Sequence, residues 1–327
     1  MGLFVQLFAF DVIGEVTFSK RFGFMDTGSD NGFFAQVKNV LRSGAWLRQI
    51  PALYWTHDFL SPIIGNHFSV TARHGRLRDF ASQAIEDRKT HGSDHQDILA
   101  KLLEVQKQRP NEMNDANVLS MATTNISAGS DTTAISTRSV IFHLLKNPEC
   151  KRELVEDIDT QTKEVKLTKP ITLEQTNHMP YLQACLYEGL RLHPAVGMSL
   201  PRVTPRGGVE IDGHFIPEGT VIEANPWVVC RNTEIFGDDV EAFRPKRWLK
   251  TGDRADMERV FFAFGQGARG CLGRNISWME TSKLIPTLFL HLEVELTDPK
   301  AELKELCWWF VKQEGLFVTL RPRSKVH

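Results

Sequence analysis

The stretch Phe264-Gly265-Gln266-Gly267-Ala268-Arg269-Gly270-Cys271-Leu272-Gly273 carries the strongest chemical signal in the chain. Its skeleton is Phe-x-x-Gly-x-Arg-x-Cys-x-Gly, placed directly before an apolar segment at about 272–290 that reads as a helix. Glycines let a backbone turn tightly and come close to a flat ligand. A cysteine at a helix N-terminus meets free N–H groups and the positive end of the dipole, which stabilise a thiolate. Arg269 is placed to pair with an anionic group on the same ligand, and Phe264 can shield the sulfur from water. The plain alternative is a glycine-rich loop with a buried cysteine. At roughly 5–7% usage for each of five fixed positions, a chance match is on the order of one in several thousand.

Nothing in the composition competes with that signal. The chain has 327 residues, enough to bury a real core, and a formal net charge of -1 gives no reason to expect nucleic acid as a partner. The other cysteines, Cys150, Cys185, Cys230 and Cys307, are widely spaced, so neither a zinc ribbon nor an iron–sulfur cluster is indicated. The apolar run Gly2 to Phe10 ends at Asp11. A membrane span needs roughly 20 apolar residues and a signal peptide a basic leader, so Met1–Phe18 is expected to be a core helix, with neither anchor nor signal in this chain.

Helices are expected over 31–50, 67–90 and 94–108, then one long helix from Asn114 or Asp115 to the stop at Asn147-Pro148. Asp131 and Arg138 exclude that long helix from a membrane. In its middle, Ala128-Gly129-Ser130-Asp131-Thr132-Thr133 is polar where a core helix should be apolar. By itself, the patch reads as a kink whose hydroxyls bond back to carbonyls. Helices follow at 149–160, near Thr172, and from about Met179 to Leu192. From Val196 to Ile222 the alternating runs separated by Gly-Gly, Asp-Gly and Pro-Glu-Gly predict hairpins. Residues 231–270 read as loop-rich, and Gly315 to Leu320 as a closing hairpin. No repeat or low-complexity linker divides the chain, so residues 1–327 are expected to form a single domain, mainly α with small β-sheets.

The Cys271 loop resembles the one that carries the cysteine ligand of cytochromes P-450. Other motifs support the resemblance, which covers essentially the whole chain. Glu188-Gly189-Leu190-Arg191 means little alone, since an i,i+3 ion pair on a helix surface adds only about 0.2–0.5 kcal/mol. In position it resembles the family's Glu-x-x-Arg, and Phe243-Arg244-Pro245-Lys246-Arg247-Trp248 resembles the later segment that adds a third charge. The resemblance implies a buried triad of Glu188, Arg191 and Arg247 that holds the Cys271 loop. The patch at 128–133 resembles the family's Ala-Gly-x-Asp-Thr-Thr, which implies that Gly129 lets the helix bulge and that Asp131 and Thr132 feed protons to oxygen activation. Haem b would be held by Cys271 as the axial iron ligand, within a loop that includes Phe264, Gly267 and Gly273. Arg269 and Arg202 would meet its propionates, although an exposed turn arginine is an equal reading of Arg202. Val196, Met198 and Phe310 match segments that point towards substrate, and their apolar character favours a lipophilic small molecule.

The opening Phe10-Asp11-Val12-Ile13-Gly14-Glu15-Val16-Thr17-Phe18 resembles a mid-molecule helix of fungal members near the pisatin demethylase and benzoate para-hydroxylase type. The chain is therefore expected to lack the family's N-terminal anchor, first helices and part of the sheet, which place full-length members at the endoplasmic reticulum membrane. Cys230 stands where the family usually has His, and Lys246 where Glu is usual. The expected activity is a haem-thiolate monooxygenase in fungal secondary metabolism or detoxification. It would hydroxylate or O-dealkylate its substrate with O₂ and with electrons from NADPH through a cytochrome P-450 reductase. One alternative is a truncated, non-catalytic remnant. The other is a haem-thiolate isomerase or dehydratase needing no external electrons, against which the Asp131-Thr132 pair argues.

Overall fold

Apolar residues at three- and four-residue spacing dominate the chain, and the computed structural model is accordingly mainly helical with small antiparallel sheets. It describes residues 1–323 except 31, 48–49, 65–74, 165–166 and 251. The contacts group the chain into two compact units, Met1–Ile135 and Ser136–His327.

The first unit holds helices α1 (Gly2–Phe18), α2 (Phe24–Thr27), α3 (Phe33–Leu47), α4 (Pro51–Ile64), α5 (Arg76–His91) and α6 (Ile98–Gln108). It also holds the first part of the long α7 (Asp115–Lys146). The expected helix over 31–50 is α3, and that over 67–90 is α5, its first eight positions lying outside the described residues. The unit's core is aromatic. Phe10 lies at ring-centroid distances of 4.8 Å from Phe34, 5.7 Å from Phe33 and 6.0 Å from Phe22, edge and tilted geometries that suit the ring quadrupole. Leu7, Ile13, Leu99, Val118 and Ile126 complete the cluster. Asp11 is buried in it because its carboxylate accepts the free N–H groups of Phe24 (3.1 Å) and Met25 (2.9 Å) at the start of α2. Asp97 caps α6 through the Ala100 N–H (2.8 Å) and takes two bonds from Arg88.

The second unit holds the rest of α7, then α8 (Pro148–Glu164), α9 (Leu173–Asn177), α10 (Pro180–Leu192), α11 (Pro226–Val229), α12 (Thr233–Phe236), α13 (Arg254–Val260) and α14 (Arg274–His291). Several of these starts are encoded locally. Pro148 and Pro180 occupy first-turn positions where no N–H is needed, and Thr172 with Gln175 forms a reciprocal capping box for α9. α8 runs four residues past its expected end. The strands pair as four two-stranded antiparallel sheets: β1 (Leu200–Val203) with β4 (Val221–Ala224), β2 (Val209–Ile211) with β3 (His214–Ile216), β5 (Leu292–Leu296) with β8 (Val318–Pro322), and β6 (Lys304–Cys307) with β7 (Val311–Glu314). The β2–β3 turn is the expected one, with Asp212 and Gly213 both at positive φ.

The closing hairpin at 315–320 is corrected. β8 pairs in register with β5, from Leu292 opposite Pro322 to Leu296 opposite Val318, and the local hairpin is β6–β7. The expected bulge at Gly129 is also absent, since α7 is α-helical throughout. The glycine is required there for another reason. A Cβ at 129 would lie 2.8 Å from Ile13 Cδ1 and 3.0 Å from Cγ1, so it permits the close approach of α1.

Gly189 plays the same part in the second unit. A Cβ there would meet Val140 Cγ2 at 2.6 Å and the Val140 Cα at 3.1 Å, while Ser139 Oγ donates to the Gly189 carbonyl at 2.8 Å. An exposed helical Gly→Ala change stabilises by roughly 1 kcal/mol. Gly189→Ala is expected to do the reverse, costing about 1–3 kcal/mol in urea denaturation because the backbone of α7 cannot yield.

Candidate functional site

The Cys271 loop is built by its glycines and two backbone bonds. Gly265 and Gly267 adopt φ of 63° and 67°, conformations open to glycine at little cost. The Cys271 N–H donates to the Phe264 carbonyl (2.9 Å) and the Gly270 N–H to that of Gly267 (3.0 Å). The loop thus closes on itself and delivers Cys271 three residues ahead of α14. The cysteine is exposed, as are its neighbours Leu272 and Arg269, and a Cβ at Gly267 would meet nothing within 4 Å. Among the described residues neither Arg269 nor Arg202 makes an ion pair; Arg202 donates only to the Pro201 carbonyl (2.7 Å). Phe264 meets Phe261 edge-on (6.3 Å between ring centroids) and Trp278 at a tilt (6.5 Å), an aromatic row behind the loop. The Gly273 position caps α14, 3.9 Å from the Cys271 sulfur by its would-be Cβ.

The structure brings Glu188, Arg191 and Arg247 together in a network larger than three residues. The Arg191 fork donates to both Glu188 oxygens at 2.9 Å, and Arg247 Nε donates to Oε1 at 2.9 Å. Two partners were not anticipated. Trp248 Nε1 donates to Glu188 Oε2 (2.8 Å), and Asp239 accepts from Arg247 (3.2 Å). The Arg244 N–H adds a further bond to Oε1 (3.0 Å). Remaining guanidinium hydrogens reach the carbonyls of Cys230, Val240 and Ala242 from Arg191, and of Phe236 and Asp239 from Arg247. Burial pushes the Glu188 carboxyl up, but bonds and charge from Arg191 and Arg247 outweigh it and hold it below the usual carboxylate range. Trp248 was legible as the residue directly after Arg247. Asp239 carried no local signal. Lys246, the departure noted above, points outward to Glu153 (2.7 Å).

Val196 and Phe310 meet as an isolated antiparallel bridge, between the strap that follows α10 and the β6–β7 turn. The strap is pinned by Gly197 N–H to the Trp309 carbonyl (2.9 Å) and Val311 N–H to that of Ala195 (2.9 Å). His193 fastens its start, with Nε2 donating to the Val311 carbonyl (2.9 Å) and Nδ1 lying 3.1 Å from Glu305. Met198 lies next on the strap, half-buried. The His193–Glu305 pair had no readable spacing in the sequence.

Asp131 and Thr132 lie in the first unit. Asp131 is fully buried and accepts a hydrogen bond from Gln6 Nε2 of α1 at 2.6 Å. Thr132 is less buried than its neighbours, and its Oγ1 donates to the Ala128 carbonyl at 2.7 Å. Ser130 does likewise towards Ile126. The back-bonding read from this patch is therefore present, within a stretch that is α-helical throughout.

A family model described as Cytochrome P450 matches residues 1–321, and the chain belongs to that family. Among curated proteins it resembles a pisatin demethylase of Fusarium vanettenii, 39% identical over 98% of this chain and 63% of that protein. The cytochrome P450 monooxygenase hepC of Aspergillus oryzae is 34% identical over 98% of the chain and 66% of its own length. The cytochrome P450 monooxygenase cicH of Emericella nidulans is 35% identical over 99% and 66%. The chain thus spans a little under two thirds of the length of the curated relatives it matches. Among the described residues no helix is long and apolar enough to cross a membrane.

Two measurements probe the scaffold. Glu188→Gln leaves two buried guanidinium groups without their shared counter-charge and is expected to cost about 3–5 kcal/mol in denaturant unfolding. Glu280, on α14, was missed by the sequence reading. It is buried, its Oε2 has no hydrogen-bond partner among the described residues, and burial pushes its carboxyl up to about 8. A folded pKa above the unfolded one means that the folded state binds the extra proton between the two values. Stability therefore falls as pH rises from about 4.5 to about 8 and is flat above. Glu280→Gln is expected to match the parent below that window and exceed it above, the gap widening by up to about 1.4 kcal/mol per pH unit.

Proposed function

We propose that this chain carries the haem-binding and oxygen-activating part of a monooxygenase acting on a lipophilic small molecule. The observation that carries the reading is the Cys271 loop, a self-closed turn with an exposed thiol ahead of a helix and an unpaired arginine beside it. These residues fit haem b. Cys271 would hold the iron, Arg269 and Arg202 have guanidinium groups to spare for its propionates, and the exposed Leu272 offers an apolar surface to cover. When bound, a thiolate-ligated haem supplies O–O cleavage and C–H oxidation.

The chain's own residues do the rest. The Glu188, Arg191, Arg247 and Trp248 network fixes the backbone carbonyls from Cys230 to Ala242. Asp131 and Thr132 hold and move the protons. The Thr132 hydroxyl spends its hydrogen on the Ala128 carbonyl, so its outward lone pairs accept. Val196, Met198 and Phe310 line the substrate side, with residues 1–327 acting as one catalytic domain. The reaction places one atom of O₂ in a C–H bond and releases the other as water, using two electrons and two protons. NADPH supplies the electrons through a cytochrome P450 reductase at the endoplasmic reticulum membrane, docking near Cys271. The relatives, two monooxygenases and one demethylase by name, favour hydroxylation or O-dealkylation in fungal secondary metabolism or detoxification.

The reduced, CO-bound difference spectrum of the chain with haem supplied tests the reading. The strongly red-shifted Soret band of thiolate ligation is expected, and Cys271→Ala abolishes it. A band typical of a neutral ligand in the parent would overturn the assignment. Thr132→Ala is expected to keep the band while diverting electrons to hydrogen peroxide, and full coupling in that variant would remove Thr132 from the proton route.

A further inference from the structure

We infer that Gln6 is a positioning residue for Asp131, fixing the direction in which that carboxylate moves a proton. The inference rests on the proton-delivery reading of Asp131 proposed above.

Within the first unit the two residues are 125 positions apart in sequence, and Gln6 Nε2 lies 2.6 Å from Asp131 Oδ1. Asp131 is 0% exposed and Gln6 8%, so the bond forms away from water. It exists because Gly129 lets α7 approach Ile13 of α1, and Gln6, about two turns earlier on α1, reaches the Asp131 side chain. α1 otherwise fills its inner face with Leu7, Phe10, Ile13 and Phe18, and an amide among them needs a partner to offset its desolvation.

Glutamine suits the position for two reasons. Its amide donates a hydrogen bond to the carboxylate without bringing a charge and without itself titrating. An arginine or lysine would fix the same oxygen but favour the ionised acid. An aspartate side chain has two rotatable bonds, and pinning Oδ1 sets the plane of the group and the direction of the second oxygen. A proton relay depends on that direction, since transfer requires heavy atoms within about 2.6–3.2 Å.

Three readouts on the full chain test this. The first is the Asp131 carboxyl band in the infrared spectrum, assigned by its loss in Asp131→Asn, which needs no turnover. The others, on the haem-loaded protein, are hydrogen peroxide formed per NADPH and the solvent deuterium isotope effect. In the peroxide branch O₂ takes two electrons and two protons and no substrate is oxidised. Gln6→Met, similar in length but with no donor, is expected to keep the CO-bound spectrum, shift the Asp131 band, raise peroxide per NADPH about twofold or more and enlarge the isotope effect.

An unmoved band with unchanged coupling in Gln6→Met, while Asp131→Asn uncouples, would show that Gln6 only packs and would overturn the inference. Unchanged coupling in Asp131→Asn itself would remove the proton reading, and the inference with it. If Gln6→Met fails to fold, Gln6→Glu puts an acidic group against the same oxygen. The Asp131 band must then move, and an unmoved band overturns the inference equally.

Discussion

A single buried carboxylate organises the second unit. Glu188 accepts from the side chains of Arg191, Arg247 and Trp248 and from the Arg244 N–H, all between 2.8 and 3.0 Å. Taking one carboxylate and two guanidinium groups out of water is costly, and the cost is offset only if every donor finds an acceptor. Asp239 supplies a second negative charge, and five backbone carbonyls between Cys230 and Ala242 take the remaining hydrogens. An irregular segment with little regular hydrogen bonding of its own is thereby given one conformation. α10 and the turn Pro245–Leu249 cannot shift without opening several charge-assisted bonds at once.

The same logic, in neutral form, governs α7. Its polar patch would be a weakness in an ordinary core helix. Here Ser130 and Thr132 bond back to carbonyls of their own helix, Ser139 bonds to Gly189, and Thr137 pairs with Thr281. Each of these hydroxyls is satisfied without water, and the helix is assigned continuously over 32 residues. The small residues Gly129 and Gly189 then set how closely its neighbours approach.

Motif and local punctuation made most of this architecture legible. The Cys271 loop, the Glu188–Arg191 turn and the long helix carry signals within ten residues or fewer, and the Asp212-Gly213 turn is a direct consequence of its residue types. What escaped depends on chain segments far apart. Asp239, Gln6 and the His193–Glu305 pair acquire meaning only when another element arrives, and no periodicity announces them. β8 was assigned to a local hairpin because Gly315 signals a turn. The turn is real, but β5 offers a free edge twenty-odd residues upstream and takes the strand instead. Gly129 was given a chemical reason, whereas the close approach of Ile13 is the constraint that excludes a side chain there.

Gly197 occupies the middle of the strap after α10 and is held on every side. Its N–H goes to Trp309, its carbonyl takes the Asn225 amide, and a Cβ would fall 2.3 Å from Val311 Cγ2 and 2.8 Å from Cys307 Sγ. In evolutionary terms the strap is a fixed hinge pin with two exchangeable arms. The contacts exclude a side chain at Gly197 alone, so a change at Val196 or Met198 alters what the strap presents while its attachment stays the same.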